Sequence, residues 1–104
     1  MDYMVVFITA SSEDEAVKIS KNLIGEKLAG CVNIVKNLRS IYFWQGKIED
    51  DSEVLMIVKT KAELFDKLSD RVKSMHSYTV PEIIGIEIKK GSESYLSWLN
   101  EVTK

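Results

Sequence analysis

The residues whose types suggest chemistry gather in one short segment, MHSYTVPEI, at positions 75–83. This segment contains the only histidine, His76, and it places Glu82 directly after the only proline, Pro81. An imidazole and a carboxylate at one turn can bind a metal ion, form an acid–base pair or stabilise the turn itself. Met75 adds a thioether suited to Cu(I), although its helical spacing groups it with predicted core residues. The three interpretations stay open at this point.

The sequence does not favour an enzyme. A hydrolytic triad lacks its other members, because there is no second histidine and no activated serine or cysteine pattern. A histidine at the end of a helix is also more often a partner of the helix dipole than a catalyst. We therefore predict that the protein is not an enzyme. A metal ion would need at least one ligand in addition to His76 and Glu82.

Three other features carry reactive or charged groups. Cys31 stands in apolar company between a predicted helix and a predicted strand, and is interpreted as a small core residue. Lys59 ends a strand beside a predicted helix start at Thr60, a geometry that can hold an anion. A solvent-exposed lysine is the simpler interpretation. The acidic run Glu49–Asp51 lies in a hairpin and indicates a solvated face.

Composition places the chain among small folded proteins. Its 104 residues suffice for one domain, residues 1–104, but not for two separate cores. An apolar fraction of 45% with 29% charged residues is typical of a folded chain. The net charge of −2 without a basic stripe argues against a nucleic-acid partner. No segment approaches the roughly 20 apolar residues that span a bilayer, so no membrane association is predicted.

The cysteine content and the N-terminal residues bear on the compartment. Cys31 is the only cysteine, so no intrachain disulfide can form, which suits a reducing environment. The first residues, MDYMVVFITASSED, have an acidic residue where a signal peptide carries lysine or arginine. We therefore predict a cytoplasmic location.

Hydrophobic patterning predicts four strands and three helices. Strand patterns cover residues 3–9, 31–44, 53–60 and 82–88. Helices are predicted to begin at the capping boxes Ser12–Glu15 and Thr60–Glu63 and at Ser92, and Gly30 is predicted to end the first. The order βαββαβ plus a terminal helix is that of the α+β, ferredoxin-like sandwich, in which two helices cover one face of an antiparallel sheet.

Two functions that this fold often serves are excluded by the residues of these elements. An RNA-recognition domain places aromatic residues two apart on its central strands. Here Phe7 is the only aromatic residue in segments 4–10 and 54–60. A soft-metal chaperone needs a CxxC motif in the first strand–helix loop, whereas residues 8–12 contain no thiol.

The hairpin that follows the first helix is too long for a compact monomer. Residues 31–44 would span roughly 45 Å at about 3.3 Å per residue, whereas a chain of this size is only about 30–35 Å across. Its end carries Ile41-Tyr42-Phe43-Trp44, an apolar tip that is unfavourable in water. We therefore predict that the hairpin projects and packs on another subunit. The alternative is a bulge that folds the hairpin back onto its own sheet.

Two runs of the sequence resemble the CutA divalent-cation-tolerance proteins. They are LAGCVNIVKNLRSIYFWQGKIEDDSEVLMIVKT and HSYTVPEI. The family pattern has ACVN, then S-x-Y-x-W-x-G, a glutamate, KT and HPY-x-x-PE, and the match follows this order over nearly the whole chain. The resemblance implies a ferredoxin-like subunit with an extended β2–β3 hairpin and a C-terminal helix, assembled into a homotrimer like that of the PII-type signalling proteins.

The resemblance also implies a metal site, described as copper-binding in some members of the family. His76 and Glu82 match the motif ligands, and Met75 falls where some members have a second histidine. The first-strand cysteine of the family is replaced, at Ile8, and Ser77 stands where the motif has proline. Because a thiolate and an imidazole are missing, a site for copper or another divalent cation is predicted to be weak, and no metal is required for folding.

Two further functions are consistent with the same resemblance. A PII-like trimeric effector-binding or signalling module would hold a small anion or nucleotide in a cleft between subunits. Its candidate residues are Tyr42, Trp44, Glu53 and Lys59, which combine aromatic faces with charge. A purely structural role would make the same residues contacts of the trimer.

Overall fold

The computed structural model describes all residues, 1–104, as four strands and three α-helices. A single 3₁₀ turn, Ala62–Leu64, precedes the second helix. The elements in chain order are β1 (Tyr3–Ala10), α1 (Glu13–Gly25), β2 (Cys31–Trp44), β3 (Lys47–Lys61), α2 (Phe65–Met75), β4 (Ile83–Ile88) and α3 (Glu93–Val102). The predicted βαββαβ order with a terminal helix is confirmed. No helix is long and apolar enough to cross a membrane.

One antiparallel sheet, in the order β2-β3-β1-β4, carries the core on one face. Alternate residues of the central strands point toward the helices, because successive side chains of a strand project to opposite faces. They pack against the apolar faces of α1 and α2. The larger buried side chains of this core include Val6, Ile8, Met56, Val58, Ile19, Leu23, Leu68 and Val72. This is the two-layer arrangement of the ferredoxin-like fold.

The other face of the sheet is also apolar. Phe7 of β1 lies opposite Ile57 of β3 and Ile84 of β4, and Val5 lies opposite Ile86. Ile84 and Ile86 are 51% and 50% exposed, although both lie in the middle of a strand. We call this surface the open face. Its apolar side chains are Val5, Phe7, Val35, Leu55, Ile57, Ile84 and Ile86.

The β2–β3 hairpin extends beyond the rest of the sheet. The pairing of β1 with β3 ends at Ala10–Val54, but β2 and β3 remain paired to Trp44–Lys47. Residues 38–44 and 47–53 therefore form a two-stranded ribbon, which we call the arm. The molecule measures 44 × 25 × 22 Å, so the hairpin projects as predicted. A bulge does occur, between Val35 and Leu38, but it does not fold the arm back onto the sheet.

The first helix ends five residues earlier than predicted. α1 stops at Gly25, and the prediction that Gly30 ends it is wrong. Lys27 adopts a left-handed conformation with φ 60°. The N–H of Leu28 then donates to the carbonyl oxygen of Leu23 at 2.9 Å, closing a Schellman motif in which lysine takes the place usually given to glycine.

The two predicted capping boxes have different outcomes. The hydroxyl of Ser12 accepts a hydrogen bond from the N–H of Glu15 at 3.1 Å, so the first cap is confirmed. The second is wrong, because Thr60 remains within β3 and its hydroxyl donates to the carbonyl oxygen of Leu28 at 2.6 Å. α2 is instead entered through the 3₁₀ turn, and Leu64 at its N-cap makes no side-chain cap. A long-range hydrogen bond thus takes the threonine that the local pattern assigned to a helix.

Gly30 has a packing role that can be tested. A Cβ at this position would overlap Leu99 and lie 3.0 Å from Cγ2 of Val102, so α3 approaches the backbone where no side chain fits. We expect Gly30→Ala to lower the free energy of unfolding by about 1–3 kcal/mol, as overpacking does. Denaturant titration at fixed protein concentration measures this. Gly25→Ala is the control, because a Cβ there meets nothing within 4 Å, and equal losses in both variants would contradict the explanation.

Candidate functional site

A cleft of about 690 Å³ lies between the arm and the loop that joins α2 to β4. We call it the arm cleft. The arm supplies one wall and the loop supplies the other, while β1 contributes Thr9. The side chains and backbone around it belong to Thr9, Ser40, Ile41, Tyr42, Trp44, Glu53, Ser77, Tyr78, Thr79, Val80, Pro81 and Glu82. The cleft therefore combines aromatic rings with two carboxylates.

Glu53 is the most buried charged residue of the arm cleft. It is only 6% exposed, and one carboxylate oxygen, Oε2, accepts a hydrogen bond of 2.7 Å from the hydroxyl of Tyr78. Burial and this hydrogen bond raise the pKa of Tyr78 above the ordinary tyrosine value, so the phenol stays protonated. The Glu53–Tyr78 bond joins the base of the arm to the loop across the cleft.

The aromatic residues of the arm line the same cleft. Tyr42 and Trp44 are two apart on β2, so their side chains share one face of the arm. The hydroxyl of Tyr42 donates a hydrogen bond to Asp51 on the facing strand. This hydrogen bond raises the pKa of Tyr42 to about 12. The ring of Tyr42 is thereby held in one orientation beside the cleft.

His76 follows the last residue of α2 and uses both ring nitrogens in hydrogen bonds. Nδ1 accepts from the N–H of Tyr78 at 3.0 Å, and Nε2 lies 2.7 Å from the carbonyl oxygen of Thr9. A carbonyl oxygen only accepts, so Nε2 must carry the proton and the ring is the neutral Nε2–H tautomer. The imidazole also lies beside the ring of Tyr78, with centroids 4.8 Å apart. No lone pair of His76 is free for a metal ion in this arrangement.

Glu15 connects the first helix to the loop. One carboxylate oxygen accepts from the N–H and hydroxyl of Ser11, each at 3.0 Å, and the other accepts from the N–H of Ser77 at 2.8 Å. Partial burial acts to raise its pKa, but the hydrogen bonds from Ser11 and Ser77 outweigh it and lower the pKa to about 2. The loop wall of the arm cleft is thus fastened to the start of α1.

The three predicted metal ligands lie in different surroundings. Met75 packs half-buried against the core, as its helical spacing predicted. Glu82 is exposed at the arm cleft, while His76 points toward β1. Nowhere do three or more histidine, cysteine, aspartate or glutamate side chains cluster as metal ligands do. Ile8 faces the buried core, so position 8 points away from the cleft.

The predicted effector residues are only partly brought together. Tyr42, Trp44 and Glu53 line the arm cleft, whereas Lys59 lies six residues further along β3. At about 3.3 Å per residue this separates Lys59 from Glu53 by roughly 20 Å. The ammonium group of Lys59 instead contacts the amide oxygen of Asn33 and lies 4.0 Å from the sulfur of Cys31. Neither Lys59 nor Cys31 is part of the cleft.

Tyr78 is the site residue that sequence reasoning did not assign to the cleft. It stands in the MHSYTVPEI segment, but its partner Glu53 is 25 residues earlier in the chain. No local pattern reports a bond between two segments so far apart. The residues of the loop after it, through Pro81, were also assigned only to a turn.

Comparisons with known proteins are consistent with one family. A model described as "CutA1 divalent ion tolerance protein" matches residues 4–102. The chain is 52% identical to the "Divalent-cation tolerance protein CutA" of Thermus thermophilus, over 95% of this chain and 96% of that protein. It is 43% identical to the "Protein CutA 1, chloroplastic" of Oryza sativa, over 97% of this chain and only 57% of that longer protein. A solved structure of the Thermus thermophilus protein superposes with a TM-score of 0.95, covering 98% of this chain and 99% of the other.

The fastening of the loop by Glu15 predicts a specific pH dependence. The pKa of Glu15 is lowered to about 2 in the folded chain, against about 4.3 in an unfolded one, so the carboxylate stabilises the fold above the unfolded value. We expect the stability difference between wild type and Glu15→Gln to be largest above about pH 5 and to shrink as the pH falls toward about 2. Urea titrations at several pH values measure it.

Asp14→Asn is the matched control for Glu15→Gln. Asp14 lies in the same first turn of α1 and is exposed, so its removal reports on the helix dipole alone. The Glu15 variant should lose more stability than this control at neutral pH. A pH-independent difference between Glu15→Gln and wild type would contradict the assignment of this stabilisation to the ionised carboxylate of Glu15.

Proposed function

The chain belongs to the CutA1 divalent ion tolerance family, and on that premise we propose that it acts in tolerance to divalent cations, copper among them, as a homotrimer. The relatives are named as tolerance proteins, and the proposal includes no enzymatic step. It places the protein in the cytoplasm, which its free Cys31 suits. It includes no nucleic acid and no membrane as partners.

One observation supports the proposed trimer: the open face and the arm leave large apolar side chains exposed to water. Ile84 and Ile86 are half exposed in the middle of a strand, and Phe43 and Ile48 on the arm are 71% and 77% exposed. A contiguous apolar surface of this kind is unfavourable in water and is typical of an obligate contact. A two-stranded ribbon is also marginal by itself. Packing against further copies would cover the open face and the side of the arm that carries Phe43 and Ile48, and the CutA resemblance implies three copies.

The metal affinity that goes with this function is proposed to be weak, and His76, Glu82 and Met75 are its candidate ligands. Glu82 is exposed and has no hydrogen-bonded partner, so its carboxylate is available. His76 can bind a metal only after one of its two hydrogen bonds breaks. The free energy of the broken hydrogen bond therefore reduces the free energy of metal binding. We accordingly propose copper or another divalent cation as a weakly bound ligand that folding does not require.

A PII-like effector-binding module is the second candidate function. The volume of the arm cleft favours it, since about 690 Å³ lies within the range of small-molecule sites. The charge of the lining argues against the small anion or nucleotide predicted from the sequence. No lysine or arginine lines the cleft, and Lys59 is on another part of β3.

The proposed trimer predicts both a mass and a way to disrupt it. We expect light scattering coupled to size exclusion to give about 35 kDa, three times the 11.8 kDa of the chain. Ile84→Lys, which places a charge on the open face, should shift the mass toward that of one chain. Ile24→Lys is the control, because Ile24 is a partly exposed residue of α1 on the opposite side of the sheet. A single-chain mass for the wild type would contradict the proposal.

Calorimetric titration of the metal-free protein with Cu(II) tests the candidate ligands. We expect weak binding that falls further in His76→Ala and in Glu82→Gln, because each variant removes one proposed ligand. Glu87→Gln serves as the control, since Glu87 is an exposed carboxylate of β4 outside the cleft. If His76→Ala binds copper as the wild type does, His76 is not a ligand.

A further inference from the structure

The charge of the arm cleft is one-sided. Glu53 and Glu82 contribute carboxylates, and no lysine, arginine or histidine side chain lines the cleft. Arg39, on the adjoining stretch of β2, is already used: its Nε and Nη2 donate to the two carboxylate oxygens of Asp50 at 2.9 and 2.7 Å. The cleft therefore carries negative charge with no cation of the same chain inside it.

Glu53 contributes the less exposed of the two carboxylates. The residue is 6% exposed and forms no ion pair. Its one hydrogen-bond donor is the hydroxyl of Tyr78, which reaches Oε2, while Oε1 is not fully buried and remains open to the cleft. A carboxylate with so little access to water is normally paired with a cation. A cation bound in the cleft would supply the missing partner.

The remaining lining indicates what kind of cation fits. Tyr42, Trp44 and Tyr78 present aromatic rings to the cleft, and the faces of such rings attract cations, ammonium groups in particular. A hard divalent ion such as Ca²⁺ or Mg²⁺ takes about six oxygen ligands, so the two carboxylates of this cleft would leave most of its coordination to water. A volume of about 690 Å³ is also far larger than one ion and is that of a small-molecule site.

We propose that the arm cleft binds a small organic ammonium compound, with Glu53 as the partner of the ammonium group and Tyr42, Trp44 and Tyr78 around its carbon skeleton. The hydroxyl of Tyr78 holds the carboxylate in position from the loop side. This site shares Glu82 with the weak metal site proposed above, whereas neither His76 nor Met75 lines the cleft. It extends the function from a tolerance to metal ions to the recognition of an amine.

Calorimetry or ligand-observed NMR with phenethylamine as the probe tests the proposal. The matched ligands are 2-phenylethanol, which is neutral, and 3-phenylpropionate, which is anionic, since both resemble the amine in size and ring. We expect the wild-type protein to bind the amine at least about tenfold more tightly than either analogue, and more weakly as salt is added. Equal binding of the amine and the alcohol, or no binding of the amine, overturns the proposal.

Variants then assign the interaction to Glu53. Glu53→Gln keeps the size and an acceptor but removes the charge, and should weaken amine binding at least about tenfold. Glu87→Gln, outside the cleft, should leave it unchanged. Unchanged affinity in Glu53→Gln overturns the assignment. The comparison of the three ligands needs only the wild-type protein, so it decides the proposal even if Glu53→Gln does not fold. It is made without copper, so its outcome is distinguishable from that of the copper titration.

Discussion

The difference in length between β1 and its neighbour β3 is the constraint on which the rest of this structure depends. β1 stops at Ala10, opposite Val54, while β2 and β3 continue as a pair to their turn. A pair of strands without a third is marginal in water, so the arm needs support from outside the sheet. Within the chain that support is the loop after α2, which meets the arm through the Glu53–Tyr78 hydrogen bond. The arm cleft is the space left between these two walls.

The same constraint explains why a carboxylate is buried at the base of the arm. Glu53 is the residue just before Val54, so it lies where the pairing with β1 ends and the loop takes the place of that strand. The loop covers Glu53 and offers it one hydrogen-bond donor, the phenol of Tyr78. No cation of the chain pairs with this carboxylate. A structural contact alone would be satisfied by a neutral glutamine at this position.

Much of the fold could be predicted from periodicity, because burial acts on every residue of an element. The bounds of β2, Cys31–Trp44, and the projecting hairpin followed from apolar patterning and length. The prediction from local signals was wrong at three places: β3 begins at Lys47 and not at residue 53, α1 does not end at Gly30, and Thr60 does not cap a helix. Lys27 adopts the left-handed conformation that usually indicates glycine, and the hydroxyl of Thr60 is used by a carbonyl group 32 residues away. Such choices are made by tertiary contacts, which local sequence does not encode.

The candidate site could be predicted in part for the same reason. Alternation along a strand put Tyr42 and Trp44 on one face, and that pairing is present in the cleft. Alternation also places the side chains of Lys59 and Glu53 on the same face of β3, because an even number of residues separates them. The two residues are nevertheless six positions apart along the strand. Parity identifies a face of the sheet but not a position along it. The hydrogen bond between Glu53 and Tyr78 depends on where β1 ends. The position of that end cannot be predicted from Glu53 or Tyr78 themselves.

His76 shows how a residue that suggests chemistry can instead position another. Its Nδ1 accepts from the N–H of Tyr78, and its Nε2–H donates to the carbonyl oxygen of Thr9. The ring therefore joins the end of β1 to the loop. The N–H that it holds belongs to the residue whose hydroxyl reaches Glu53. A metal ion at Nδ1 would compete for the lone pair that orients Tyr78, because one lone pair cannot serve both. Metal binding at His76 would therefore loosen the loop wall of the arm cleft. A tightly held Tyr78 would in turn weaken the binding of the metal ion.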